Sequence, residues 1–172
     1  MSQTYKPVLD TTDLLRASIV LSISAFDYLI HELFRIEVLR RHEERRPIAR
    51  LEIPFNVHAA DDESRGALLE KFIVERNSFR SFVDPVKYAD AMGCFFQSPW
   101  DKVGAQLGKG SEELKARLKL IYRWRNRIAH EADINPSLAG IELWPILKSD
   151  VLDAVWDLEQ IGLATVAVVR AH

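Results

Sequence analysis

The chain has 172 residues, 48% of them hydrophobic, with 23 Lys and Arg against 25 Asp and Glu for a formal net charge of -2. That length fits one domain, residues 1–172 around one core, and that apolar share excludes disorder as the default. The slight acidic excess excludes a protein that coats nucleic acid through bulk charge and leaves room only for a local basic patch.

The opening MSQTYKPVLDTTD lacks the basic start and apolar run of a secretion signal. Thr11 and Thr12 are N-cap candidates for a long helix from about Asp13 to Arg41. Its apolar run is interrupted by Asp27 and by serines, and the tail run IGLATVAVV is too short to span a bilayer, so no membrane partner is expected. The next stretch, HEERRPIARLEIPFNVHAADDE, is charged and broken by Pro47 and Pro54, and reads as a long connection with at most a short extended piece at ARLEI. A second helix is expected over Ser64 to Phe82, and a shorter one from Pro85 to about Phe96. Ser98-Pro99 has the form of an N-cap followed by proline at the first helical position, opening a short helix to Leu107.

Gly108-Lys109-Gly110 stops that helix; it lacks the strand and spacing of a phosphate loop. The fourth major helix opens at Ser111, with Glu112 and Glu113 favouring the dipole, and ends before Asn135-Pro136. Ser149 is expected to cap a last helix from Asp150 to Arg170. Without strand alternation, the fold class is all-α: a bundle of four long helices plus one or two short ones. Cys94 alone makes no intrachain disulfide, and no Cys/His cluster has zinc-ligand spacing, so a reducing, cytoplasmic location without metal or other cofactor is expected. His31-Glu32-Leu33-Phe34-Arg35 starts like a zinc-protease motif, but Arg35 stands where the second histidine is required. Cys94 reads as a small buried hydrophobe, and the four tryptophans mostly as core or interface residues. Arg40, Arg41, Arg45, Arg46 and Arg50, diluted by glutamates, read as a solvated surface, with contact to an RNA backbone as the sharper alternative.

On a helical wheel at about 100° per residue, Leu114, Leu118, Ile121, Ile128 and Ala129 form the core side of the fourth helix. Arg123, Asn126, Arg127 and His130 share the opposite side. Two arginines, an amide and an imidazole at one helix end suit a phosphate and its reacting neighbours. Arg125 falls among the leucines, about 140° from His130. Asp27 lies likewise on the first helix's stripe of Val20, Ile23, Ile30 and Phe34, so an ion pair between Arg125 and Asp27 is the simplest joint solution.

The run Arg125-Asn126-Arg127-Ile128-Ala129-His130 resembles the signature of the HEPN superfamily: an arginine, a polar residue, a few more positions and a histidine, late in a helical bundle. LLRASIVLSISAFDYLIHEL and SPWDKVGAQLG are similar to the first helix and second half of its RiboL-PSP-HEPN branch, so the resemblance covers most of the chain. It implies a metal-independent endoribonuclease of a defence, toxin or RNA-processing system, assembled as a homodimer, with an antitoxin or nucleotidyltransferase as a further partner. By that implication His130 is the general acid or base, Arg125 stabilises charge developing on phosphorus, Asn126 orients the phosphate, and Arg123 and Arg127 bind RNA. Three arrangements reconcile it with the wheel: the helix distorts before His130, Arg125 reaches round, or Arg123 and Arg127 supply the cationic face. The alternatives are a catalytically inactive module of the same kind binding RNA or nucleotide, and a helical interaction domain of a toxin–antitoxin pair.

Overall fold

The computed structural model describes residues 11–130, 133 and 143–172. Among them it forms α1 (Thr12–Glu43), α2 (Phe55–His58), α3 (Asp62–Asn77), α4 (Pro85–Met92), α5 (Pro99–Leu107), α6 (Ser111–His130) and α7 (Lys148–Arg170), with no strand. The expected four long helices are α1, α3, α6 and α7. Three short ones accompany them, not one or two, because Pro54 starts a single turn, α2, inside the stretch read as connection.

Local chemistry explains the boundaries. Ser18, Ser22 and Ser24 donate their hydroxyls to the carbonyls of Leu14, Ser18 and Val20, so they sit inside α1 without opening it. Asp61 caps α3 by accepting the Ser64 N–H at 2.8 Å. α3 ends at Asn77, short of the expected Phe82, because the Asp27 carboxylate on α1 takes the Phe82 N–H at 2.6 Å and holds that residue in the following turn. Ser98 does precede α5, but its backbone is left-handed (φ 49°) and its hydroxyl makes no capping bond. Gly108 ends α5 at φ 64°, where a side chain would be strained. α7 starts at Lys148 after an extended Leu147, so Ser149 lies within its first turn and does not cap it.

α1 is the central helix and packs against α3, α4, α6 and α7. Its buried stripe, Ile19, Ile23, Phe26, Ile30, Phe34 and Val38, repeats at helical spacing. Facing it are Leu69 and Ile73 of α3, Leu114, Leu118 and Ile121 of α6, and Leu158, Ile161 and Val168 of α7. The outer face of α1 carries exposed Leu14, Leu21, Tyr28 and Ile36, and the helix is long and apolar enough to cross a membrane by length and composition. Charges are nevertheless buried on its inner face. Glu37 accepts from Arg40 and Arg41, and these bonds hold its carboxyl below the usual range although burial pushes it up. Arg41, expected at a solvated surface, is buried over the Phe95 ring. Cys94 is buried, as expected, and Trp100 is a core residue while Trp156 is exposed.

Gly104 lies close under the turn that leads from α5 to α6. A Cβ there would meet the Lys109 carbonyl oxygen at 2.5 Å, and that backbone is fixed by the Lys109 N–H bond to the Gly104 carbonyl at 2.9 Å. Gly104→Ala is expected to cost about 1–3 kcal/mol in denaturant unfolding. A variant as stable as the parent would show that the α5–α6 turn opens without cost.

Candidate functional site at the end of helix α6

α6 is continuous α-helix from Ser111 to His130, so the helix does not distort before the motif histidine. The side chain of His130 lies outside the described residues. Leu114, Leu118 and Ile121 are buried as the wheel requires, and Ile128 packs half-buried against the core. Ala129 is exposed, against expectation. It sits about 80° round from Ile121, at the margin of the stripe.

Arg125 is half-buried, and its Nη1 donates to Asn126 Oδ1 at 3.2 Å. That bond ties the guanidinium to its chain neighbour Asn126. Its expected partner is otherwise engaged. Asp27 accepts from the Phe82 backbone and stands 3.9 Å from His31 Nε2, and no Arg125–Asp27 ion pair occurs among the described contacts. A carboxylate on an apolar stripe was satisfied by a backbone donor one helix away, which no wheel of α1 displays.

A buried ion pair does join α1 to the end of α6, through other residues. Asp133, 2% exposed, accepts from Arg16 Nε at 2.8 Å and from Arg127 Nε at 2.6 Å. Arg16 Nη2 also donates to the Trp144 carbonyl at 2.7 Å, and Arg127 lies over the Trp144 ring at 5.0 Å. Backbone bonds complete the clasp: Asp133 N–H to the Arg127 carbonyl, and Trp144 N–H to the Asp133 carbonyl. Asp133 holds φ at 55°, a left-handed conformation that aspartate tolerates better than most residues. Arg127, expected to bind RNA, thus commits its Nε to an intrachain carboxylate. Arg16 and Asp133 were missed by sequence reasoning. The only signal was Arg16 itself, a charge in register with Ile19 and Ile23.

Arg123 is exposed and Asn126 half-buried, and both line a groove between α6 and the start of α4. This groove, a cavity of about 550 Å³, is walled by Pro85 and Val86 on one side and by Lys115, Lys119 and Tyr122 on the other. Lys115, Lys119 and Arg123 follow one another at single-turn spacing, about 6 Å along the axis, on the side that continues through Asn126 to position 130. Lys115 pairs with Glu112 at 2.7 Å, whereas Lys119 and Arg123 make no ion pair with a described residue. Arg117 turns away to Asp157 of α7. In a chain that is acidic overall, α6 is the basic element. Among the described residues no group of His, Cys, Asp and Glu could hold a metal ion.

Comparison of the chain with protein families, with curated proteins and with solved structures finds no match.

Proposed function

We propose that this chain is a metal-independent endoribonuclease of the HEPN kind, acting as a homodimer, with His130, Arg125 and Asn126 at the reacting phosphate. In that reaction the ribose 2'-hydroxyl loses its proton to one histidine and attacks phosphorus. The bond to the 5'-oxygen breaks, and that oxygen takes a proton from a second acid, leaving a 2',3'-cyclic phosphate and a 5'-hydroxyl. Asn126 and the Arg125 guanidinium that leans on it supply donors for the developing charge.

The observation that carries this reading is the basic line of Lys115, Lys119 and Arg123 along the groove that leads to Asn126. Successive cations one helical turn apart suit successive phosphates of an extended strand, and Tyr122 with Pro85 and Val86 offers an apolar wall against which a base can stack. Binding is then electrostatic, and steep in salt.

The test is titration of labelled single-stranded RNA at several salt concentrations, followed by incubation in EDTA and analysis of the ends. Saturable binding and cyclic-phosphate ends are expected. Arg123→Glu should weaken binding uniformly across sequences and lower the salt slope by about one or more. An unchanged slope removes the groove from the RNA path. Binding without cleavage leaves a module that holds RNA but does not cut it, a reading favoured by the commitment of Arg127 to Asp133.

A further inference from the structure

Most arginines of this chain are matched to carboxylates: Arg35 to Glu70, Arg40 and Arg41 to Glu37, Arg65 to Asp62, Arg117 to Asp157. Among the described contacts Arg50, Arg76 and Arg80 form no such pair, and their charges all act on the buried Cys94, just beyond the end of α4. Burial pushes the Cys94 thiol up, and the charges of Arg76, Arg50 and Arg80 all pull against it. Arg76 is itself half-buried, its guanidinium 5.9 Å above the Phe34 ring, with the Asn77 side-chain oxygen as acceptor at 3.1 Å. Burial and then the nearby Arg80 charge lower its pKa, with the Asp90 carboxylate acting in the opposite sense. The Nδ2 donor of Asn77 is also buried without a partner.

The backbone places Arg50 there deliberately. Its φ is 59°, a left-handed conformation that a residue with a side chain adopts at a cost, and the adjacent Ala49 N–H is held by the Cys94 carbonyl at 2.9 Å. Gly93 makes the approach possible, since a Cβ there would lie 3.0 Å from Arg50 Nη1. Beside these groups is a cavity of about 570 Å³, lined by Arg50, Leu51, Glu52, Phe72 and Arg76. That volume is in the range of small-molecule sites. Glu52 lines the cavity and the Asp90 charge acts on Arg76, but neither forms an ion pair with any of the three arginines among the described contacts.

We propose that this cavity binds an organic phosphomonoester, its phosphate held by Arg50 and Arg76 with Arg80 adding charge, and its organic part lying against Phe72 and Leu51. Planar guanidinium forks from different elements match the tetrahedral oxygens of a dianion, and a monocarboxylate would leave most of those donors unused. The cavity opens beside the C-terminal half of α1. Phe34, which underlies Arg76, is about 27 Å along the helix axis from Arg16 and the end of α6. The inference stands whether or not the chain cleaves RNA.

Isothermal titration of the full chain with phenyl phosphate, inorganic phosphate, acetate and chloride at equal ionic strength tests it. Saturable binding of phenyl phosphate in the micromolar range is expected, with inorganic phosphate weaker and acetate and chloride inactive. Arg50→Ala, at an exposed side chain, should weaken phenyl phosphate about tenfold or more without lowering the melting temperature, and Arg76→Gln should weaken it at least as much. The idea is overturned if chloride reproduces the phosphate response, or if phenyl phosphate binds Arg50→Ala and Arg76→Gln as it binds the parent.

Discussion

Asp133→Asn is expected to lower the melting temperature by about 6–20 °C, the largest stability effect of any single substitution at the candidate site. The carboxylate is 2% exposed and serves two guanidinium groups at 2.6 and 2.8 Å. Arginine does not escape burial by losing its proton, so removing the shared anion leaves Arg16 desolvated and unpaired and Arg127 with its Nε unmatched. Breaking a buried pair from one side costs about 3–5 kcal/mol, and each kcal/mol moves the midpoint of a chain this size by about 2–4 °C. Asparagine is the right probe because it keeps the left-handed backbone accessible, whereas alanine would add backbone strain to the loss of charge. Arg16→Met should cost less, since Asp133 retains Arg127, and the double variant should be more stable than the two single effects added together. A melting temperature within a degree or two of the parent would mean that the clasp is solvated and does not anchor the end of α6.

His130→Ala is expected to reduce RNA cleavage on the order of 10²–10⁴-fold while leaving the melting temperature unchanged. Position 130 closes α6, and the melting temperature measured beside turnover separates loss of chemistry from loss of fold. The two variants read different things: Asp133→Asn acts on stability first, His130→Ala on turnover alone. One chain supplies one His130, and transesterification uses both a base and an acid, so a two-fold partner is the economical source of the second proton-transfer group. Sedimentation should accordingly give a mass near twice 19.7 kDa. Activity that survives in His130→Ala, or that vanishes in EDTA, would retire the proposed mechanism. A monomer that still cleaves would retire only the shared site.

The sequence by itself determined the helical elements other than α2 and the end of α3, because each is written in neighbours a turn apart. The period of Ile19, Ile23, Phe26 and Ile30, the Pro85 and Pro99 starts and the Gly108 stop act over a few residues and need no partner. It also determined which residues of α6 face the core, except at the last turn, where Ala129 lies at the stripe's margin and is exposed. The run from Arg125 to His130, on which the proposed function rests, was visible for the same reason, being one short stretch of a single helix. Pairings between distant elements were decided only by the tertiary structure. A wheel places Asp27 and Arg125 on apolar faces but carries no information on which donor or acceptor arrives from elsewhere. Folding gave Asp27 the Phe82 N–H and gave Arg16 and Arg127 the carboxylate of Asp133. The basic tract from Arg40 to Arg50 shows the same limit. Its first members are spent on Glu37, and its last, Arg50, joins Arg76, which is remote in sequence, in lining one cavity. Charge interactions are set by distance in space, and chain neighbours do not report that distance once loops bring the elements together.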